Sequence, residues 1–146
     1  MSELENLVTF TLAGQAFGIP IGRVQDAFLP EAITSVPRAP AQVAGVMNLR
    51  GRVVTAISLK DYLGLPAPQD ARPPIAIGIE HRGELYGLLV EEMGEVIAPE
   101  RASAEANPPN LDPKWRLASG GVYRLKDKLL LVLDVDRLLD FRKVAA

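Results

Sequence analysis

The chain carries one pattern twice, and that repeat limits the folds open to it more than any other feature. Residues 10–24 (FTLAGQAFGIPIGRV) lie without a gap on residues 79–93 (IEHRGELYGLLVEEM). Residues 45–63 (GVMNLRGRVVTAISLKDYL) lie in the same way on residues 121–139 (GVYRLKDKLLLVLDVDRLL). Phe10 falls on Ile79, Gly14 on Gly83, and Phe17-Gly18 on Tyr86-Gly87. Gly45-Val46 falls on Gly121-Val122, Leu49 on Leu125 and Arg50 on Lys126. Paired glycines in two ungapped blocks of the same order mark a duplication rather than a chance alternation of apolar letters. The two offsets, 79 − 10 = 69 and 121 − 45 = 76, differ by seven, and NPPNLDPKW (107–115) is the evident place for the insertion. Two copies of one small unit are expected.

Each unit reads as β-strands. Phe10 and Leu12, then Phe17, Ile19 and Ile21, alternate about the turn AGQA, where Gly14 can take a positive φ; Gly83 has the same role in EHRGE. VVTAISL is short and β-branched. LLLVLDV is almost continuously apolar, as suits a strand buried on both faces. Each second block ends in a helix-like piece, KDYLGL or DRLLDF, the first stopped by Gly64 and Pro66. PAPQDARPP holds four prolines and should be extended. The expected organisation is one domain over 1–146, with a first barrel unit at 8–65, a linker at 66–74 and a second unit at 75–140. Units of about 60 residues with four or five short strands suggest small closed barrels, because closure removes exposed edges. A groove between two such barrels is the natural place to bind something.

Chemistry for catalysis is scarce. There is no cysteine, and the single histidine, His81, falls in the turn EHRGE, where a solvated residue is expected. One histidine without cysteine makes no ordinary zinc site. Asp134 and Asp136 share one face if the strand continues through them, and Asp136 suits the N-cap of the last helix, ahead of Arg137. Glu91 and Glu92 would point to opposite faces of a strand. SGG at 119–121 lacks the lysine and second glycine of a phosphate loop. Aromatic residues are 5% and the formal net charge is -2, which does not favour nucleic acid. The longest apolar run, LLLVL, is far below the ~20 residues of a membrane span, and the acidic start MSELENLVTF is no secretory signal. These features imply a cytoplasmic binding module with no cofactor, no metal and no enzymatic activity.

One stretch asks for a specific explanation. In GVMNLRGRVV an arginine, Arg50, stands at the tip of a turn beside Leu49, where asparagine or glycine would serve the geometry better. A rigidly held guanidinium beside apolar side chains suits an interface anchor. The run AITSVPRAPAQVAGVMNLRGRVV, with its Val-Pro and Ala-Pro pairs and its Asn-Leu-Arg-Gly turn, resembles the CheW-type coupling proteins of bacterial chemotaxis. The opening FTLAGQAFGIPIGRVQDA and the close GVYRLKDKLLLVLDVDRLL resemble that family too, so the likeness spans roughly 8 to 140.

The resemblance implies a mainly β fold of two five-stranded SH3-like barrels with short helices, a shared core and a groove between them. It implies an adaptor that joins the regulatory domain of a CheA-type histidine kinase to the cytoplasmic tip of methyl-accepting receptors, alongside homologous adaptors in arrays peripheral to the membrane. Kinase contacts would fall on Val8, Ile21 and Val24. Receptor contacts would involve Leu49, Arg50 and Gly51, sharing the groove with Ile75, Val90 and Met93. Asn48, Gly18, Gly45, Gly87 and Gly121 would serve turns and close packing. The chain departs from the family in VVTAISLK, where Thr55, Ser58 and Lys60 replace proline, aspartate and arginine, and in Val90-Glu91, followed by the bulky Met93. Those departures leave two alternatives open: a paralogous scaffold in a kinase pathway outside chemotaxis, or a stand-alone barrel for a ligand or nucleic acid.

Overall fold

The computed structural model describes residues 6–30, 32–38, 43–65, 74–98, 104–105, 115, 119–124 and 129–139. The expected linker, apart from Pro74, lies outside them. So do Leu125, Lys126 and all of the expected insertion but Trp115.

Among the described residues eleven strands follow one another: β1 (Leu7–Leu12), β2 (Gln15–Pro20), β3 (Val24–Phe28), β4 (Val43–Leu49), β5 (Arg52–Ser58), β6 (Ile75–His81), β7 (Glu84–Val90), β8 (Glu92–Ile97), β9 (Ala104–Glu105), β10 (Ser119–Arg124) and β11 (Leu129–Leu133). A 3-10 turn, Ile21–Arg23, joins β2 to β3. Short helices α1 (Leu59–Leu63) and α2 (Val135–Leu139) follow β5 and β11. The order in sheet A is β8-β1-β2-β11-β10-β9, and in sheet B it is β3-β6-β7-β5-β4. Without the two-residue β9, each sheet has five strands. The bridge between Thr34 and Val46 repeats the Glu105–Val122 pairing of β9 on the other sheet.

The sheets do not follow the expected boundaries of 8–65 and 75–140. Each sheet takes one hairpin from one copy and completes it with strands of the other. The exchange is made by two parallel pairings, β11 on β2 and β5 on β7. In the first Leu131 stands opposite Phe17, and in the second Thr55 stands opposite Tyr86, the same positions of the repeat. The antiparallel pairs Val24–Ile79 and Phe10–Met93 repeat each other likewise.

Exchange gives every inner strand two apolar faces. One face of both sheets meets in a shared core of Phe10, Phe17, Ile19, Ile57, Ile77, Ile79, Leu88, Leu131 and Leu133, with Leu138 of α2. The other face of sheet B curls over Met47, Val54, Ala56, Ala76 and Leu85, and that of sheet A over Leu7, Ala16, Leu130 and Val132. In β11, Leu130 and Val132 therefore face the private core while Leu131 and Leu133 face the shared one. That alternation explains the unbroken apolar run. Gly87 lets Met47 lie against β7, since a Cβ there would sit 2.6 Å from Met47 Cε. Gly18, the repeat position of Gly87, packs against Leu7 and Leu130 with ordinary room.

The helices start as the repeat predicts, with one reassignment. The Ser58 hydroxyl accepts the Asp61 N–H at 3.2 Å and caps α1, and Gly64 ends it at φ 70. At the matching place in the second copy Asp134, not Asp136, is the cap: its Oδ1 accepts the Arg137 N–H at 3.1 Å. The strand stops at Leu133, so Asp134 and Asp136 do not share a strand face. Ser58 thus substitutes for an aspartate by doing an aspartate's capping work.

Candidate partner-binding surfaces

Among the described residues three two-residue hairpin turns have positive φ at both central positions: Ala13-Gly14 (51 and 79), Arg50-Gly51 (53 and 84) and Arg82-Gly83 (54 and 81). That is the geometry favoured between right-twisted strands. The glycines adopt it freely, but Arg50 enters a region that costs an L-residue about 1–2 kcal/mol. Asn48, which would tolerate the conformation better, sits two residues earlier. Its Oδ1 accepts the Gly51 N–H at 2.9 Å and closes the turn from the side. The asparagine braces the loop and the arginine is left at the tip, exposed.

Around the tip lies a cleft of about 230 Å³ lined by Leu49, Arg50, Arg52, Gln25, Asp26 and Leu85, with Gly78 at its floor. Leu49 is half-buried against the private core of sheet B, while Val53, opposite Asn48, is 68% exposed. Two guanidinium groups and one carboxylate beside bare apolar surface can take a partner that offers carboxylates and aliphatic side chains together.

The other positions expected beside Arg50 are elsewhere. Ile75 stands opposite Val90 at the far end of the β6–β7 hairpin, and Met93 opposite Phe10. Ile75 and Met93 are half-buried at the margin of the shared core, and Val90 is buried within it. β5 separates this cluster from the Arg50 turn, about 20 Å at the usual rise per residue. Val90 is a core residue and lines no surface.

The early-strand positions divide in the same way. Ile21 is 43% exposed on the 3-10 turn, and Val24 is half-buried at the start of β3. Val8 is buried, paired with Ile19 and Val96, so its side chain belongs to the core. Gly45 and Gly121 both sit at strand bulges, with φ 154 and 138.

His81 is not a solvated turn residue. It is the last residue of β6 and only 6% exposed, and its Nδ1 lies 3.2 Å from Asp136 Oδ1. The same oxygen accepts Arg23 Nη1 at 2.9 Å. The sequence did hold a signal: His81 falls on Leu12 in the repeat, a column that is apolar in the first copy. Glu91 lies in a bend between β7 and β8, and its Oε2 accepts the Ala13 N–H at 3.2 Å. It serves the first hairpin rather than a strand face. Among the described residues no group of three or more His, Asp or Glu side chains is placed to hold a metal ion, and no helix is long and apolar enough to cross a membrane.

Two interleaved five-stranded sheets about a shared core, with an arginine-tipped hairpin at one end, define a double-barrel β domain. Residues 6–143 match the family described as "CheW-like domain", and the chain belongs to that family. It is 27% identical to the chemotaxis protein CheW of Helicobacter pylori over 94% of this chain and 82% of that one. It is 26% identical to the chemotaxis protein CheW of Bacillus subtilis over 93% and 87%. The crystal structure of the scaffolding protein TtCheW from Thermoanaerobacter tengcongensis superposes with a TM-score of 0.81 at 27% identity, covering 94% of both chains.

Proposed function

We propose that this protein is a non-catalytic adaptor that couples methyl-accepting receptors to a CheA-type histidine kinase, working in the cytoplasm at the membrane-proximal receptor arrays. The observation that carries the reading is the match to the CheW-like family over residues 6–143, together with an ordered Asn-Leu-Arg-Gly turn that leaves Arg50 exposed. Relatives bearing the names chemotaxis protein and scaffolding protein support it.

In this reading the Arg50 tip, Arg52 and the exposed Val53 meet the receptor's helical hairpin, where a carboxylate takes the Arg50 guanidinium in a bidentate pair. Ile21 and Val24 meet the regulatory domain of the kinase. Ile75 and Met93 form a separate apolar margin open to a further adaptor or receptor contact. Coupling is a difference of affinities: the adaptor biases the kinase only as far as it binds two states unequally.

The test is reconstitution of receptor, kinase and adaptor. Arg50→Asp should fold normally and abolish receptor control of kinase activity, and Val24→Asp should weaken binding to the isolated regulatory domain. Normal control by the Arg50→Asp protein, with its circular dichroism unchanged, would refute the assignment of Arg50.

A further inference from the structure

The crossover from sheet A to sheet B runs through Ile21–Arg23, and none of these three residues is buried. Apolar packing does not hold this turn. Beneath it, between Pro20 and Arg23 on one side and Val132, Asp134 and Asp136 on the other, lies a cleft of about 320 Å³. Polar contacts hold the turn instead. The Ile21 N–H donates to the Asn6 carbonyl at 2.9 Å. Arg23 Nη1 donates to Asp136 Oδ1 at 2.9 Å, and Nη2 to the Glu80 carbonyl at 3.4 Å. Asp136 also faces His81 Nδ1, so one carboxylate on α2 gathers the crossover and the end of β6.

The duplication supplies an internal control. Where the second copy has His81 and Asp136 the first has Leu12 and Lys60, and where the first has Arg23 the second has Glu92. Leu12 is buried in the shared core, so the fold fills this position with plain hydrocarbon. A buried imidazole is costlier than leucine unless it is hydrogen-bonded. The His81 ring packs against Tyr86, with centroids 6.3 Å apart, as an apolar side chain could, and its contact with Asp136 is what a leucine could not make.

We propose that Arg23, Asp136 and His81 form a clasp that positions the crossover, and with it Ile21 and Val24, for the kinase. The inference rests on the kinase reading above for its purpose, not for its geometry. Asp136 is 62% exposed, so the clasp adds little to global stability. Its effect is local order, which lowers what a partner must fix when it binds.

The test is amide hydrogen exchange at residues 21–24 in the full chain, read beside urea unfolding and titration with the kinase regulatory domain. Arg23→Ala, Asp136→Ala and His81→Leu should each speed exchange at 21–24 by about two- to fivefold with the urea midpoint near wild type. The swapped pair Arg23→Glu with Asp136→Lys, made with His81→Leu so that the site copies Glu92, Lys60 and Leu12, should restore part of the slow exchange and of the kinase affinity relative to Asp136→Ala. Unchanged exchange in Asp136→Ala overturns the clasp. Faster exchange with unchanged kinase affinity overturns its positioning role. If the wild-type protein fails to bind the kinase domain while exchange responds as expected, the clasp stands and the kinase reading falls.

Discussion

The side-chain oxygen of Asn48 lies 2.9 Å from the backbone nitrogen of Gly51, across a turn whose tip is Arg50 at φ 53. The brace and the strained residue are separate side chains, so the turn's stability and its binding group can be altered independently. Asn48→Ala should lower stability by about 1 kcal/mol, the usual worth of such a bond, in urea denaturation. Arg50→Gly removes a left-handed arginine and should leave stability within about 1 kcal/mol of wild type. Receptor coupling should nonetheless be lost. If Arg50→Gly couples normally, the tip is only a turn.

Gly45 and Gly121 hold the same bulge in the two copies but differ in room. A Cβ on Gly45 would run into the Thr34 carbonyl oxygen and Ile33, whereas one on Gly121 meets nothing within 4 Å among the described residues. Both positions have positive φ, so both alanine variants are strained. Gly45→Ala should cost at least about 2 kcal/mol more than Gly121→Ala. Thermal melts of the pair will show the difference, and equal melting points would contradict it.

Phe17 lies in the shared core, with ring centroids 5.6 Å from Phe10 and 5.7 Å from Trp115. The Trp115 Nε1–H donates to the Leu63 carbonyl at 2.8 Å, so this stack ties sheet A to α1, the helix that follows β5 of sheet B. Phe17→Ala should cost about 3–5 kcal/mol. Because the sheets share this core, unfolding should remain one transition. Two separate transitions in the variant would show barrels that fold alone.

Burial raises the Tyr62 hydroxyl above its ordinary value of 10.0. The native state then holds this proton more tightly than the unfolded chain does. The contribution is complete below pH 10 and falls away as pH rises beyond it. Stability should therefore decline above about pH 10 more steeply in wild type than in Tyr62→Phe. Parallel slopes in urea titrations across that range would count against it.

How far the sequence carried this picture can be judged residue by residue. Local pattern disclosed the hairpins about Gly14, Gly51 and Gly83 and a helix at the end of each copy, because period-two alternation and positive φ are local demands written in local residues. It also singled out Arg50. It could not show that β2 seeks β11 and β7 seeks β5. An apolar strand that needs cover on both faces does not name its neighbour, and two equivalent copies offer equally suitable partners.

That exchange decided everything the sequence left open about the surfaces. It buried Val8 and Val90, set Ile75 and Met93 a strand's length from Arg50, and brought His81 against Asp136 and Arg23. Alternation determines which residues lie on one face of a strand. Which face lies inside, and which distant side chains meet there, depends on contacts between residues 50 to 115 positions apart, and only the tertiary structure makes those.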